Sequence, residues 1–383
     1  MFRLLLVCTA VLGTFSANAQ KKNIALTPPM GWNTWNTFHC NVDEQLIQES
    51  ADYMVSSGMK EAGYEYIVID DCWQVARDST GTIVADPKRF PSGIKALADY
   101  VHSKGLKFGL YSDVGRMTCQ RRPGSRGYEE VDAKTYEEWG VDYLKFDWCY
   151  HGNLKAEEAY FPMGDALAKL DREIVYSICN WGVKEPWKWA GETGHLWRTT
   201  GDIIPKFSGA SLPFFQTVVD IIDKQADLHS YARPGAWNDP DMLEVGITLS
   251  NSEGRAHFSM WCMMAAPLMA GNDLRDMTSE TVEILTNKEV IALDQDPLGK
   301  QGRKIVDEGK YEIWMKELES NEKAICFLNR SRKPWVVEPD WKALGISSDK
   351  NIRDLWKHED VGNVNDVRSF TVHPHDVVVL RVK

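Results

Sequence analysis

Lys145 and Asp147 stand two residues apart in the apolar stretch Tyr-Leu-Lys-Phe-Asp-Trp-Cys-Tyr, residues 143–150. On a β-strand, residues i and i+2 share a face, so an ammonium, a carboxylate and the thiol of Cys149 would point the same way. Burying such charges is costly unless they pair or do chemistry. By itself the stretch reads equally as a structural ion pair at a strand end or as a reactive pair. The same texture recurs elsewhere: Trp35 in MGWNTW, Asp70 and Asp71 in YIVIDDCW, Tyr111 and Asp113 in KFGLYSDVG, and Asn180 in IVYSICNW. It returns with Arg198 and Asp202 in LWRTTGD, Asp239 and Asp241 in AWNDPDM, and Asp273 in PLMAGNDL. A ring of carboxylates with a lysine, an arginine and tryptophans suits sugar hydrolysis. Charged groups bond the hydroxyls, aromatic faces stack on the ring, and two carboxylates perform the displacement. Capping at strand-to-helix turns would explain some of these aspartates, Asp239 above all, but not Lys145 beside Asp147.

Positioning such a ring requires a repeated scaffold. Eight short apolar strands are expected, at 30–35, 66–73, 107–115, 143–149, 174–181, 196–202, 236–242 and 267–274. Helical patterning fills the gaps. Leu46 to Gly63 and Gly93 to Gly105 each end on a glycine stop, and DAKTYEEWG precedes the fourth strand. Alternating strand and helix argues for a parallel sheet. Eight units over this length match a (β/α)8 TIM barrel, whose active site lies at the C-terminal ends of its strands. A doubly wound open sheet is the alternative, but no glycine-rich phosphate loop supports it. Beyond QDPLGKQG the texture becomes alternating, as in KYEIWMKEL and DVVVLRV, which predicts an antiparallel β-sandwich. The expected division is a barrel over 20–299 and a sandwich over 300–383.

Residues 1–19 read as a secretory signal peptide: Arg3, the apolar run Leu4 to Leu12, then Ala17-Asn18-Ala19. That run is too short to span a bilayer, and no other segment is long and apolar enough. The expected location is secreted or periplasmic. The formal charge of −11, without a basic patch, disfavours nucleic acid. It suits a neutral or cationic ligand. Fifteen tryptophans offer flat faces for sugars, though most will serve as core. Seven cysteines remain after the leader, an odd number that leaves at least one free thiol in an oxidising compartment. No ligand spacing points to zinc, and no metal or cofactor is expected. Asn329-Arg330-Ser331 is a single glycosylation sequon. Oligomeric state is not legible.

Taken together, MGWNTW, IDDCW, GLYSDVG, YLKFDWC, WRTTGD, NDPDML, MAAPLMAGNDLR and QDPLGKQG resemble glycoside hydrolase family 27, in family order across residues 26–302. The resemblance implies a retaining exo-acting α-galactosidase with Asp147 as nucleophile and Asp202 as acid/base. Spacing alone leaves Asp241 open for the second role. The resemblance places the galactosyl ring against Trp35, Asp70, Asp71, Tyr111, Lys145, Arg198 and Asp241, with Met242 beside them. The loop after the fifth strand, with Cys179, Asn180 and Trp181, would face the sugar's C2 substituent. Asn180 departs from the family's usual glutamate or small residue there. The resemblance also implies bridges Cys40–Cys72 and Cys119–Cys149, with Cys179 free and Cys262 and Cys326 in the core. Lys145, near Asp147, is expected to lower that carboxyl's pKa. Rival readings are an α-N-acetylgalactosaminidase, a β-L-arabinopyranosidase, or an inactive carbohydrate-binding protein on the same barrel.

Overall fold

The computed structural model describes residues 24–383, so the leader lies outside the described residues. Eight strands form one parallel sheet: β1 Met30–Asn33, β2 Tyr66–Val68, β3 Lys107–Asp113, β4 Tyr143–Asp147, β5 Val175–Ile178, β6 Leu196–Arg198, β7 Trp237–Asp239 and β8 Leu268–Ala270. Each pairs with its sequence neighbour from β1 to β7, and β1 also pairs with β8. A parallel bridge from Leu243 to Ala270 closes the gap between β7 and β8. The result is a TIM barrel. Its inner floor is apolar, with Tyr66, Val68, Tyr143, Val175, Leu196, Trp237 and Met269 packed together. Along β4 the inward series runs from that floor at Tyr143 up to Lys145 and Asp147, so the charges emerge where the apolar filling ends.

Helices cover the outside: α1 Glu44–Ser56, α2 Ile94–Ser103, α3 Glu129–Trp139, α4 Ala156–Ala168, α5 Val218–Gln225, α6 Asn251–Met263, α7 Ser279–Leu285 and α8 Lys288–Asp294. Side-chain caps at Asp43, Thr217, Ser250, Thr278 and Asn287 start five of them, each satisfying an otherwise orphaned first-turn amide. The helical stretch expected through Gly63 breaks after Ser56 at Ser57 and Gly58, and a short turn, Met59–Ala62, follows. Between β5 and β6 the helix is replaced by 3-10 turns at Pro186–Lys188 and Ala190–Glu192.

After α8 the chain builds β9 Arg303–Asp307, β10 Tyr311–Glu317, β11 Lys323–Asn329, β12 Trp335–Val337, β13 Asn351–Asp354, β14 Glu359–Asn363, β15 Phe370–Val372 and β16 Asp376–Val382. Six form an antiparallel sheet in the order β9-β10-β11-β16-β13-β14, and β12 pairs with β15 beside it. One face of the large sheet, with Trp314, Cys326, Leu328 and Val379, joins the barrel's core cluster. The other, with Ile325, Phe327, Leu380 and Val382, closes on Val337 and Val372 as a second core. Arg255–Asp376 and Arg353–Glu289, both 2.6 Å, tie the two parts together. No helix among the described residues is long and apolar enough to cross a membrane. The sequon Asn329 is fully buried, and its amide donates to the carbonyls of Lys333 and Val372.

Candidate active site

A cavity of about 500 Å³ opens at the C-terminal ends of the barrel strands, within the size range of small-molecule sites. It gathers Trp35, Asp70, Asp71, Tyr111, Lys145, Asp147, Cys179, Trp181, Arg198, Asp202, Asp241 and Met242. Their elements lie far apart in sequence, and barrel closure alone brings them together.

At the floor, Lys145 Nζ meets Asp70 Oδ2 at 2.7 Å, and Asn33 Nδ2 donates to the same oxygen at 2.9 Å. Asp70 is buried, and the Lys145 side chain is 14% exposed. Burial works against the Lys145 ammonium, but Asp70, Cys179 and Asp147 around it hold its pKa well above the ordinary lysine value. Lys145 therefore stays a cation, and its direct partner is Asp70. Asp71 accepts from the amides of Cys72 and Gln120 at 2.7 and 2.9 Å.

Asp147 is also buried. Its Oδ1 accepts from the Trp148 amide at 2.9 Å, and its Oδ2 accepts from Tyr111 Oη at 2.9 Å. Burial raises its pKa to about 6; Lys145 lowers it, but Asp202 across the cavity pushes it up again. Lys145 does lower this pKa as expected, but desolvation outweighs the effect of a cation already committed to Asp70. Cys119 Sγ lies 3.4 Å from Asp147 Oδ2.

The second cluster comes from β6 and the loop after β7. Arg198 reaches Asp241 at 2.6 Å and Asp202 at 3.2 Å. Asp241 sits at φ 89°, a strained region for a non-glycine residue. Three bonds fix it there, each 2.8 Å: its own amide donates to Asp239 Oδ1, and its carboxylate accepts from Met242 and Ile203. Burial raises the Asp241 pKa to about 6, against the opposing pull of Arg198. Asp202 differs from all of these, since its side chain is 47% exposed.

Disulfides join Cys40 to Cys72 and Cys119 to Cys149, with Cα atoms 5.2 and 5.1 Å apart. Each ties neighbouring loops at the rim. Cys179, Cys262 and Cys326 are free and buried, and Cys179 forms part of the cavity wall.

Asp113, Asp273, Asn180 and Asp239, all singled out from the sequence, do not line this cavity. Asp113 is buried behind it and accepts from the amides of Gly115 and Cys149 at 2.6 and 2.9 Å. Asp273 caps a short turn and pairs with Arg275 at 2.8 Å. Asn180 is fully buried, and its amide is taken by the Val183 carbonyl. The chain turns at Trp181, φ 56°, so Cys179 and Trp181 face the cavity and Asn180 braces the loop. Asn180 itself does not line the cavity. Asp239 lines a small extension beneath the cavity, with Tyr143 and Ser177. Asn36, His39 and Glu244 also line the cavity, although they are not among the residues singled out from the sequence. Glu244 is fully buried; Asn36 donates to one of its oxygens, and burial raises its pKa to about 8.

The family model described as alpha galactosidase A matches residues 27–296. The chain belongs to glycoside hydrolase family 27. A second model, the alpha galactosidase C-terminal beta sandwich domain, matches residues 308–382. The α-galactosidase A of Cellvibrio japonicus is 51% identical, over 98% of this chain and 96% of that protein. The crystal structure of α-galactosidase I from Mortierella vinacea superposes with a TM-score of 0.90 at 38% identity, covering 94% of this chain and 98% of that one. The Saccharomyces cerevisiae α-galactosidase solved with raffinose gives 0.88 at 29% identity, covering 95% and 99%.

Proposed function

We propose that this protein is an exo-acting α-galactosidase that hydrolyses terminal α-linked galactose from oligosaccharides or glycoconjugates with retention. The observation that carries the reading is one buried, hydrogen-bonded carboxylate facing one half-exposed carboxylate across a sugar-sized cavity. Asp147 is the nucleophile: two donors aim it, and the Cys119–Cys149 bridge holds its loop. Asp202 is the acid/base, half in water, where a proton can be exchanged between steps. In the first step Asp147 attacks the anomeric carbon, while Asp202 gives its proton to the departing oxygen. In the second, Asp202 takes a proton from water, which releases galactose from Asp147 with net retention. Asp70, Asp71 and Lys145 accept and donate to ring hydroxyls at one side, and Arg198 and Asp241 do so at the other. Trp35 supplies a stacking face.

Cys179 and Trp181 line the cavity, and we take this wall as the one that faces the sugar's C2 substituent and favours a hydroxyl over an acetamide. We therefore expect kcat/KM on p-nitrophenyl α-galactoside to exceed that on the α-N-acetylgalactosaminide by at least about 100-fold, or about 2.7 kcal/mol. Raffinose should release galactose. Faster cleavage of the acetamido sugar or of a β-L-arabinopyranoside, or no turnover of any, would refute the assignment. The two disulfides and the leader-like N-terminus support export to a secreted or periplasmic location. The domain division is placed between residues 299 and 300, within the stretch between α8 and β9.

A further inference from the structure

We propose that Glu244 is a positioning residue for Trp35: it clasps the turn after β1 and so keeps the indole face set against the galactosyl ring. The inference rests on the α-galactosidase reading above. Trp35 opens a four-residue helical turn, Trp35–Phe38, in which no side chain is fully buried. A segment with so little buried side chain is free to shift unless something else holds it. Its anchors are few. Phe38 sits edge-on to Trp32 with centroids 6.1 Å apart, Thr37 Oγ1 donates to the Gly271 carbonyl at 2.6 Å, and Cys40 just beyond is bridged to Cys72. Nearest to the indole are the Trp35 amide, which donates to Asn33 Oδ1 at 2.9 Å, and Asn36, whose Nδ2 donates to Glu244 Oε1.

Glu244 stands on a firmer base than the turn it holds. The Leu243 amide donates to the Met269 carbonyl at 2.8 Å, and the Gly271 amide donates to the Leu243 carbonyl at 3.0 Å. The Glu244 amide donates to His257 Nε2 on α6 at 2.9 Å. The segment after β7 is thus stitched to β8 and to α6 before the Glu244 side chain reaches across to the turn after β1. Gly271 lets that turn come close, since a Cβ there would lie 3.1 Å from Asn36 Cβ.

The chemistry of the side chain fits a clasp and not a sugar ligand. Glu244 Oε1 accepts from Asn36, while Oε2 is buried without a hydrogen-bond partner among the described residues. One donor does not satisfy a buried carboxylate, and Asp241 on the same wall adds repulsion. Glu244 therefore keeps its proton, in line with its raised pKa. As a neutral acid it adds no charge to compete with Asp241 and Arg198 for the sugar hydroxyls. A buried acid is costly where an aliphatic side chain would fill the wall, and the bond to Asn36 is the contact that an aliphatic side chain could not make.

The test measures kcat and KM on p-nitrophenyl α-galactoside, and the inhibition constant of free galactose, in the full-length enzyme. The variants are Glu244→Ala, Asn36→Ala, the two combined, and Glu244→Gln. A stacking face that serves ground state and transition state alike raises KM when it is displaced and leaves kcat in place. Glu244→Ala and Asn36→Ala should each raise KM and the galactose inhibition constant about fivefold, as for one weakened aromatic contact. Each should keep kcat within about twofold of wild type. The combined variant should be no worse than either alone, because both remove one bond. Glu244→Gln retains an acceptor for Asn36 and should match wild type. In a Trp35→Ala background, Glu244→Ala should change KM no further. If Glu244→Ala does not fold, Asn36→Ala with and without Trp35 reads the same clasp. Additive losses, a fall in kcat with KM unmoved, a Glu244→Gln as defective as Glu244→Ala, or an undiminished effect without Trp35 would overturn the role. Wild-type protein inert toward the galactoside would instead refute the α-galactosidase reading itself.

Discussion

The floor of the cavity and its rim solve opposite problems. At the floor, Asp70, Asp147, Arg198 and Asp241 are buried and Lys145 is largely covered, and each charge has an ionic partner or fixed hydrogen-bond donors. At the rim, Asp202 is half in water, and Phe214 and Leu212 lie open to solvent. A buried floor of paired charges can discriminate one sugar from another, because a misfit ring leaves buried polar groups unpaired. A wet rim can exchange protons and accept varied leaving groups. The difference matches an exo-glycosidase that is strict about the sugar it takes and tolerant of what it removes it from.

Each part of that contrast can be broken. The largest effect is expected at the rim's acid. Asp202→Ala should cost about 10²–10⁴-fold in kcat/KM on oligosaccharides, and far less on aryl galactosides whose leaving group needs no proton. A uniform loss across leaving groups would move the acid role elsewhere, with Asp241 the next candidate. At the floor, Lys145→Met should strand a buried Asp70 carboxylate and cost about 3–5 kcal/mol of stability, read by denaturant unfolding. A loss below about 1 kcal/mol would mean the pair is effectively solvated, and the floor no different from the rim.

The smallest effect concerns Glu244. Its carboxyl, raised to about 8 when folded from an ordinary 4.5, holds its proton longer in the native state than in the unfolded one. Its stabilising contribution is full below pH 4.5 and is lost as the pH rises through 8. Glu244→Gln should therefore match wild type at pH 4 and exceed it at pH 9 by on the order of 2–4 kcal/mol. Identical pH profiles of the thermal midpoint would show that water reaches this wall.

Much of this architecture is legible in the sequence. The barrel follows from strand ends that turn polar at regular intervals, and the motifs around Asp147, Arg198 and Asp241 fall on those ends. Pairing across the barrel is a different matter. Sequence proximity joins Lys145 to Asp147, two residues away, yet Lys145 binds Asp70, 75 positions away, because β4 and β2 converge on one axis. Alternation along β5 puts Val175, Ser177 and Cys179 on the inner face and Asn180 on the other; the C2-facing role of the loop comes from the family resemblance, not from the strand period. Glu244 lies past its strand end, outside the positions that barrel logic marks; a lone charge within Met-Leu-Glu-Val is its only signal. In the sandwich, β13 and β14 carry charged, weakly alternating sequences with no strand signal of their own.

The central claim is that Asp147 forms the bond to galactose. Incubation with a slow 2-deoxy-2,2-difluoro-α-galactoside or 5-fluoro-α-galactosyl fluoride, followed by peptide mapping of the trapped enzyme, tests it directly. The account predicts a single galactosyl adduct on the peptide containing Tyr143 to Trp148, at Asp147, lost in Asp147→Gly. In that variant azide should restore turnover and yield a β-galactosyl azide. An adduct on Asp241 or Asp202, or wild-type turnover by Asp147→Gly, would contradict it.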